Sequence, residues 1–450
     1  MLAYGRSLGL ETFNDRVGNV IIRKPAGKGM ADCKPVILQA HLDMVHQKNA
    51  DTVFDFDKEG IAMYADGDWV RAQGTTLGAD NGMGVAAIMA VLADDSLAHP
   101  PLEALFTVDE ETGMTGAKGL EPGVLRGQIL LNLDTEEDDE IDIGCAGGVD
   151  ITASGFYEEV PPANRACSYT IMVKGLQGGH SGMDIHLGLG NANKIMNSIL
   201  YMASTEHGLR VGEIDGGGLR NAIPRESVAR VTVPVGQKEA FEKNFHSWAG
   251  DIRKELEASE PSLVLQLMAD SPPASVMQEK AQLKILMALA EAHNGVYSMS
   301  NKMEGLVEAS NNIARVSAGQ GIITIGCLAR SSEDAVKTEL AAELSSVFEK
   351  AGMEVTFSGE YPGWNPDPDS EILGIMRSRY RLLFNEEPRV VACHAGLECG
   401  ILGAIYPNLE MISFGPTIRG AHSPDERVQI SSVRKFWNLL QDILAHIPRK

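Results

Sequence analysis

Residues 35–41, PVILQAH, decide the fold. A compact apolar run of this length suits a strand buried on both faces. It ends in His41-Leu42-Asp43, so it delivers an imidazole and a carboxylate at its C-terminal end. Residues 82–92 (GMGVAAIMAVL) read as a small-residue helix, and 102–108 (LEALFTV) and 128–133 (QILLNL) as two more buried strands. Strands alternating with helices predict an α/β layer around a mainly parallel sheet flanked by helices. Ligands gather where the strands of such sheets end.

The pattern changes further along. Residues 168–173 and 227–233 alternate like half-buried strands. Phe241, Phe245, Trp248, Ile252 and Leu256 recur at helical spacing, as do Val336, Leu340, Leu344 and Val347. Long amphipathic helices with half-buried strands predict an α+β layer with helices on one face. The last hundred residues return to α/β: 389–392 and 410–414 read as short buried strands, and Val433, Phe436, Trp437, Leu440 and Leu444 form one helical stripe. One α/β domain, 1–156 plus 354–450, interrupted by an inserted domain at 157–353, explains this order. The acidic run Glu136 to Glu140 reads as a solvated loop. A chain of 450 residues suits two or three domains at ~100–200 residues each.

Lys and Arg number 39 against 61 Asp and Glu, a net charge of −22. That excludes the basic footprint of a nucleic-acid binder and of a protein held on anionic lipid. The longest clean apolar run, 85–93, is too short to span a bilayer, and the opening MLAYGRSLGLE has no signal-peptide pattern. Six cysteines, with no CxxC pair, point to reduced thiols and a cytoplasmic address.

The residues that can carry chemistry lie just after the expected strands. His41 and Asp43 end the first; Gly78-Ala79-Asp80-Asn81-Gly82 turns into the helix; Asp109-Glu110-Glu111-Thr112-Gly113 and Asp134 come after the next two; His422 lies in a C-terminal loop. Each alone reads equally well as a surface pair, a cap or a turn residue. Together, imidazoles and carboxylates at several strand ends can enclose two divalent ions, as zinc, cobalt or manganese sites do.

The motifs HLDMV (41–45), GADNG (78–82), DEETG (109–113), LNLD (131–134) and GPTIRGAHSPDE (415–426) resemble those of the metallopeptidases with two co-catalytic zinc ions. That family includes dipeptidases, aminoacylases and glutamate-releasing carboxypeptidases. GCAGGVD (144–150), KGLQGGHSGMDIHLGLGNANK (174–194), LRNAIPRE (219–226), YPGWNPD (361–367) and HAGLECG (394–400) are most similar to its bacterial cytosolic nonspecific dipeptidases, also called aminoacyl-histidine dipeptidases or peptidase D. The resemblance covers almost the whole chain, although family members carry several dozen residues ahead of the position where this chain opens.

The resemblance implies a catalytic domain interrupted by an inserted lid and dimerisation domain, and hence a homodimer. It implies that His41, Asp80 and Asp134 hold one metal and Asp80, Glu111 and His422 the other, most simply zinc. Asp43 would orient the ligand His41, its carboxylate accepting the far N–H of that imidazole, and Glu110 would be the general base. From the lid, His180 would stabilise the carbonyl oxygen. Asn221 and Arg330 would bind the substrate's polar ends, and Gly396 would offer backbone near its carboxylate. The implied reaction is hydrolysis of dipeptides, Xaa-His such as β-alanyl-histidine and other unmodified dipeptides, by a metal-bridging hydroxide. An amidase of the same fold acting on N-acyl amino acids and a non-catalytic metal-binding protein remain as alternatives. The glycines at 178–179 and 188–190 lack the Gly-Lys-Ser/Thr ending of a P-loop.

Overall fold

The computed structural model describes residues 1–450 and divides into two compact units. The first holds Met1–Cys145, Trp364–Cys393 and Leu397–Lys450; the second holds Ala146–Gly363 and His394–Gly396. Sequence patterning places the junctions at 157 and 353. The strands Gly147–Phe156 and Glu354–Tyr361 lie outside those marks, but they pair with each other, and Gly147–Phe156 also pairs with Ile322–Ser331 of the second unit. Ladder partners, which patterning does not show, decide where a strand belongs.

The first unit is built on an eight-stranded sheet. Its order is Glu11–Asn14, Val20–Lys24, Leu102–Thr107, Val36–His41, Ile129–Asn132, Glu410–Ser413, Glu140–Cys145 and Arg389–Cys393. The four strands from Leu102–Thr107 to Glu410–Ser413 run parallel. Glu11–Asn14 and Val20–Lys24 run antiparallel at one edge. Every residue of Val36–His41 and Leu102–Thr107 is buried, as parallel strands covered on both faces require. The register sets His41 beside Thr107 and Gln39 beside Asn132, so the C-terminal ends of three strands open at one edge.

Two helices pack close to those ends. Ala79–Ala93 buries Ala87, Ile88, Val91 and Leu92. A Cβ at Gly84 would stand 2.7 Å from the carbonyl oxygen of Leu133, so this helix lies directly on the strand end that leads to Asp134. The helix Ile430–Ala445 buries Phe436, Leu439, Leu440, Ile443 and Leu444, with Phe436 against Phe414 at 5.5 Å between ring centroids. A smaller sheet joins Ile418–Arg419, Arg427–Gln429, Trp69–Ala72 and Met63–Asp66, and His422 sits in the loop between its first two strands.

The acidic run is not a solvated loop. All five residues are at least half-buried. Arg419 pairs with Glu137, Lys435 with Asp138, and Arg389 with both Asp139 and Glu140. The charge pattern hid this because the cations come from segments far along the chain.

The second unit carries a nine-stranded sheet whose ladders are all antiparallel. The inward residues of these strands, such as Ile171, Val231 and Ile325, form one core with Met196 and Ile199, Phe241 and Phe245, Leu286, and Leu340 and Leu344 from the helices Ala192–His207, Lys238–Glu255, Glu279–Glu291 and Asp334–Lys350. No helix of the chain is long and apolar enough to cross a membrane.

Candidate active site

The strand ends of the first unit bring His41, Asp80, Glu110, Glu111, Asp134 and His422 together. The Nε2 of His41 lies 3.0 Å from Asp80 Oδ1 and 3.4 Å from Asp134 Oδ1. The Nε2 of His422 lies 3.2 Å from Asp80 Oδ2 and 3.0 Å from Glu111 Oε2. Asp80 therefore faces each imidazole with a different oxygen. Burial works against its charge, but hydrogen bonds from His41 and His422 hold its carboxyl well below the usual range. Burial would also lower His41, yet the charge and hydrogen bond of Asp134, with the nearby carboxylates of Asp43 and Asp80, carry it far above the ordinary imidazole value. Hydrogen bonds to Asp80 and Glu111 raise His422 to about 10.

Asp43 differs from its expected role. His41 Nδ1 is 3.0 Å from the main-chain oxygen of Asp43 and 3.6 Å from its carboxylate, too far for a hydrogen bond. The two carboxylate oxygens instead accept the main-chain N–H groups of Glu110 and Glu111, each at 3.1 Å. Asp43 thus orients His41 through its backbone and the Glu110-Glu111 pair through its side chain. Burial opposes its charge, but nearby His41 and these N–H groups hold it down at about 2.

The donor set fits divalent cations. Two imidazoles and several carboxylates form the overlapping groups His41–Asp80–Asp134, Asp80–Glu111–His422 and His41–Glu110–Glu111, the donor atoms within each lying inside 4.8 Å of one another. The Oε1 of Glu111 is buried with no hydrogen-bond partner. Burial, together with the charge of Asp134, pushes Glu110 up to about 9, and burial raises Asp134 as well. Crowded buried carboxyls of this kind are relieved by positive charge, and imidazole with carboxylate suits zinc.

Several groups that sequence reasoning gave no role hold this arrangement. Glu426, almost wholly buried, accepts from the main-chain N–H groups of Leu77 at 2.7 Å and Gly78 at 3.0 Å on one oxygen, and from Ala79 at 2.7 Å and Asp80 at 3.3 Å on the other. Asn81 donates to Leu133 O at 2.7 Å and to Asp134 Oδ1. Asp109 and His422 adopt left-handed backbone, at φ 59° and 64°. Such non-glycine positions cost ~1–3 kcal/mol and persist where surrounding structure enforces them. Behind the strand ends runs a buried polar chain. Glu398 accepts from Thr107 at 2.6 Å and Gln39 at 2.7 Å; Gln39 accepts from Asn132; Asn132 accepts from Ser413; Ser413 meets Thr135 at 2.8 Å, and Thr135 meets Asp142 at 2.7 Å. Burial pushes Glu398 and Asp142 each up to about 7.

The lid residues named by sequence all fall in the second unit. His180 Nδ1 accepts the main-chain N–H groups of Gly182 at 3.2 Å and Met183 at 3.0 Å. That nitrogen carries no proton, so the neutral ring bears its hydrogen on Nε2. Burial and the charge of Arg330 keep the ring below the ordinary histidine value. Asn221 is exposed, and its main-chain oxygen accepts from Ser181 N at 2.7 Å, tying its loop to the His180 turn. Arg330 is buried and donates from Nη1 to the hydroxyl of Tyr361 at 2.9 Å. Gly396 packs on the Tyr361 ring. The adjacent His394, next to Ser310 at 2.8 Å, is pushed down to about 3 by burial and by Arg330.

Comparison with known proteins identifies the family. The sequence pattern of the peptidase family M20/M25/M40 matches residues 37–446. The chain is 44% identical over 451 residues to the cytosol non-specific dipeptidase of Escherichia coli (strain K12), covering 100% of this chain and 93% of that protein. It is also similar to the crystal structure of the aminoacylhistidine dipeptidase from Vibrio alginolyticus, with a TM-score of 0.94 and 44% identity over 100% of this chain and 92% of that one. The aminopeptidase PepT from Bacillus cereus shares the fold, with a TM-score of 0.54 at 15% identity over 99% and 91% of the two chains. Likeness along the full length at such identity leaves one conclusion: the chain belongs to the peptidase family M20/M25/M40.

Proposed function

We propose that this chain is a divalent-metal-dependent dipeptidase. The observation that carries the reading is Asp80, whose Oδ1 and Oδ2 face His41 and His422 at 3.0 and 3.2 Å. A carboxylate so placed has the form of a bridge between two ions. His41, Asp80 and Asp134 would hold one, and Asp80, Glu111 and His422 the other, with zinc expected and cobalt or manganese as substitutes. Bound there, the ions would supply an acidified water and polarise a carbonyl. Full-length likeness to proteins named as dipeptidases supports a dipeptide as substrate.

The chain's own residues then divide the work. Glu110, held through its main chain by Asp43, accepts the proton of the attacking water and returns it to the departing amine. His180 presents Nε2–H to the carbonyl oxygen as negative charge develops. Arg330 offers a planar fork to the substrate's α-carboxylate, with Asn221 and Gly396 at the substrate's polar ends. A homodimer through the second unit belongs to this reading. Its edge strand Val264–Ala269 exposes Val264 and Met268 beside an open ladder. A reducing cytoplasm suits six cysteines with no disulfide among them.

The test is one purified sample, assayed with added zinc against β-alanyl-histidine, other unmodified dipeptides, and N-acetyl and N-succinyl amino acids. Turnover of the dipeptides is expected. Preference for the N-acyl amino acids, or no turnover of any substrate with two equivalents of metal bound, overturns the reading.

A further inference from the structure

Arg330 is a buried guanidinium whose side chain makes one hydrogen bond, from Nη1 to Tyr361 Oη at 2.9 Å. Its Nε is buried without a partner. Two other arginines display what the edge formed by Nε and Nη2 does when a carboxylate is at hand. Arg379 clasps Asp442 with these two nitrogens at 2.6 and 2.7 Å, and Arg389 clasps Asp139 at 3.0 and 2.8 Å. In Arg330 that edge is the one Tyr361 leaves alone.

The contact between Arg330 and Tyr361 is built into the sheet. Gly148 is the ladder partner of Arg330 on one side and of Tyr361 on the other. Strands two apart are separated by roughly 9–10 Å, so the two outer side chains meet only across the middle residue. Glycine there leaves the path open, since a Cβ at 148 would stand 2.7 Å from the Tyr361 hydroxyl and 2.8 Å from its ring. Gly396 clears the other approach, where a Cβ would stand 2.9 Å from the ring. The tyrosine is seated against two glycines with its hydroxyl on a single guanidinium nitrogen.

We propose that Tyr361 is the positioning residue of a carboxylate clamp: by occupying Nη1 it fixes the Arg330 plane and reserves the Nε–Nη2 edge for the α-carboxylate of a dipeptide. This rests on the reading of Arg330 given above and adds its cause of selectivity. A preset planar fork loses less freedom on binding than a mobile one, so the gain falls on substrates with a free C-terminus.

The test compares β-alanyl-histidine with its C-terminal amide on the zinc-loaded enzyme. Tyr361→Phe keeps the ring and removes only the hydroxyl. Its KM for the dipeptide should rise about tenfold, with kcat within about twofold and the KM for the amide unmoved. Gly148→Ala displaces the hydroxyl while keeping the tyrosine, and should give the same pattern. A dipeptide-to-amide ratio unchanged in Tyr361→Phe, or a fall in kcat with KM unmoved, overturns the proposal. Arg330→Met separates the two ideas. If it abolishes the ratio while Tyr361→Phe does not, Tyr361 has no part in the clamp. If Arg330→Met itself leaves the ratio unchanged, the clamp is absent.

Discussion

Glu426 grips the main chain that presents Asp80, its two oxygens taking four consecutive N–H groups from Leu77 to Asp80. A carboxamide in its place can accept on one side only. Glu426→Gln is therefore expected to weaken metal binding by roughly 10–100-fold, as changes just outside a metal's ligands do. It should also lower the stability of the metal-free protein by about 1–3 kcal/mol. Chelator competition and urea unfolding read the two effects, and wild-type values in both would remove Glu426 from this role.

The roles proposed for Glu110 and Asp80 are separable. Glu110→Ala should keep two equivalents of metal and lose turnover by on the order of 10²–10⁴-fold. Asp80→Ala should lose metal from both positions on gel filtration. Near-normal turnover in the first variant, or two tightly held equivalents in the second, contradicts the assignment.

Asp142 gives a pH signature through its contact with Thr135, the residue after Asp134. Two hydroxyl protons, from Thr135 and Ser413, serve three contacts running from Asp142 to Asn132, so a proton on Asp142 completes the chain. Burial pushes this carboxyl up to about 7, aided by Glu140 and opposed by the Thr135 hydrogen bond and Arg389. The unfolded value is ~3.9, so the native state binds the extra proton in between. Stability from this group is complete below about pH 4 and is lost as pH rises through about 7. Asp142→Asn should flatten the pH dependence of urea unfolding by on the order of a few kcal/mol between those limits. Parallel curves for the two proteins would show an ionised Asp142.

His180 is fixed as a donor. Its Nδ1 is engaged by the N–H groups of Gly182 and Met183, and burial with the charge of Arg330 disfavours a second proton. Nitrogen NMR of the labelled imidazole should find the hydrogen on Nε2 and no titration from about pH 6 to 8. His180→Ala should cost roughly 10²-fold in kcat. A ring that titrates normally in this range would show a mobile side chain.

Much of the first unit was legible because its strands are short, mostly apolar and closed by charged residues, as at 35–41 and 102–108. The second unit's long hairpin, Val307–Gly319 with Ile322–Ser331, was not. Its strands carry buried Ser310, Asn311 and Asn312, which break the apolar pattern. Those polar groups reach remote partners: Asn311 donates to His293 O, Asn312 to Arg220 O and Ala222 O, and Ser310 meets the His394 ring. The helix Ala192–His207 is hidden although Asn191 caps it, because its start lies in a glycine-rich stretch. At the site, the residues that meet in space were those embedded in motifs. Glu426, Glu398 and Tyr361 lie within motifs too, but their roles go unread because their partners are backbone amides, a buried hydroxyl and amide, and an arginine reached across bare glycines. Only the folded chain brings these near. The carboxylate of Asp43 is misread from sequence for the same reason.

The order of the ligand residues along the chain also bears on synthesis. His41, Asp80, Glu111 and Asp134 are made before the second unit, and His422 only after it. A nascent chain on the ribosome carries Asp80 without the imidazole that faces its second oxygen. The proposed centre is thus withheld until translation is almost finished, and unfinished polypeptides released early lack its second imidazole.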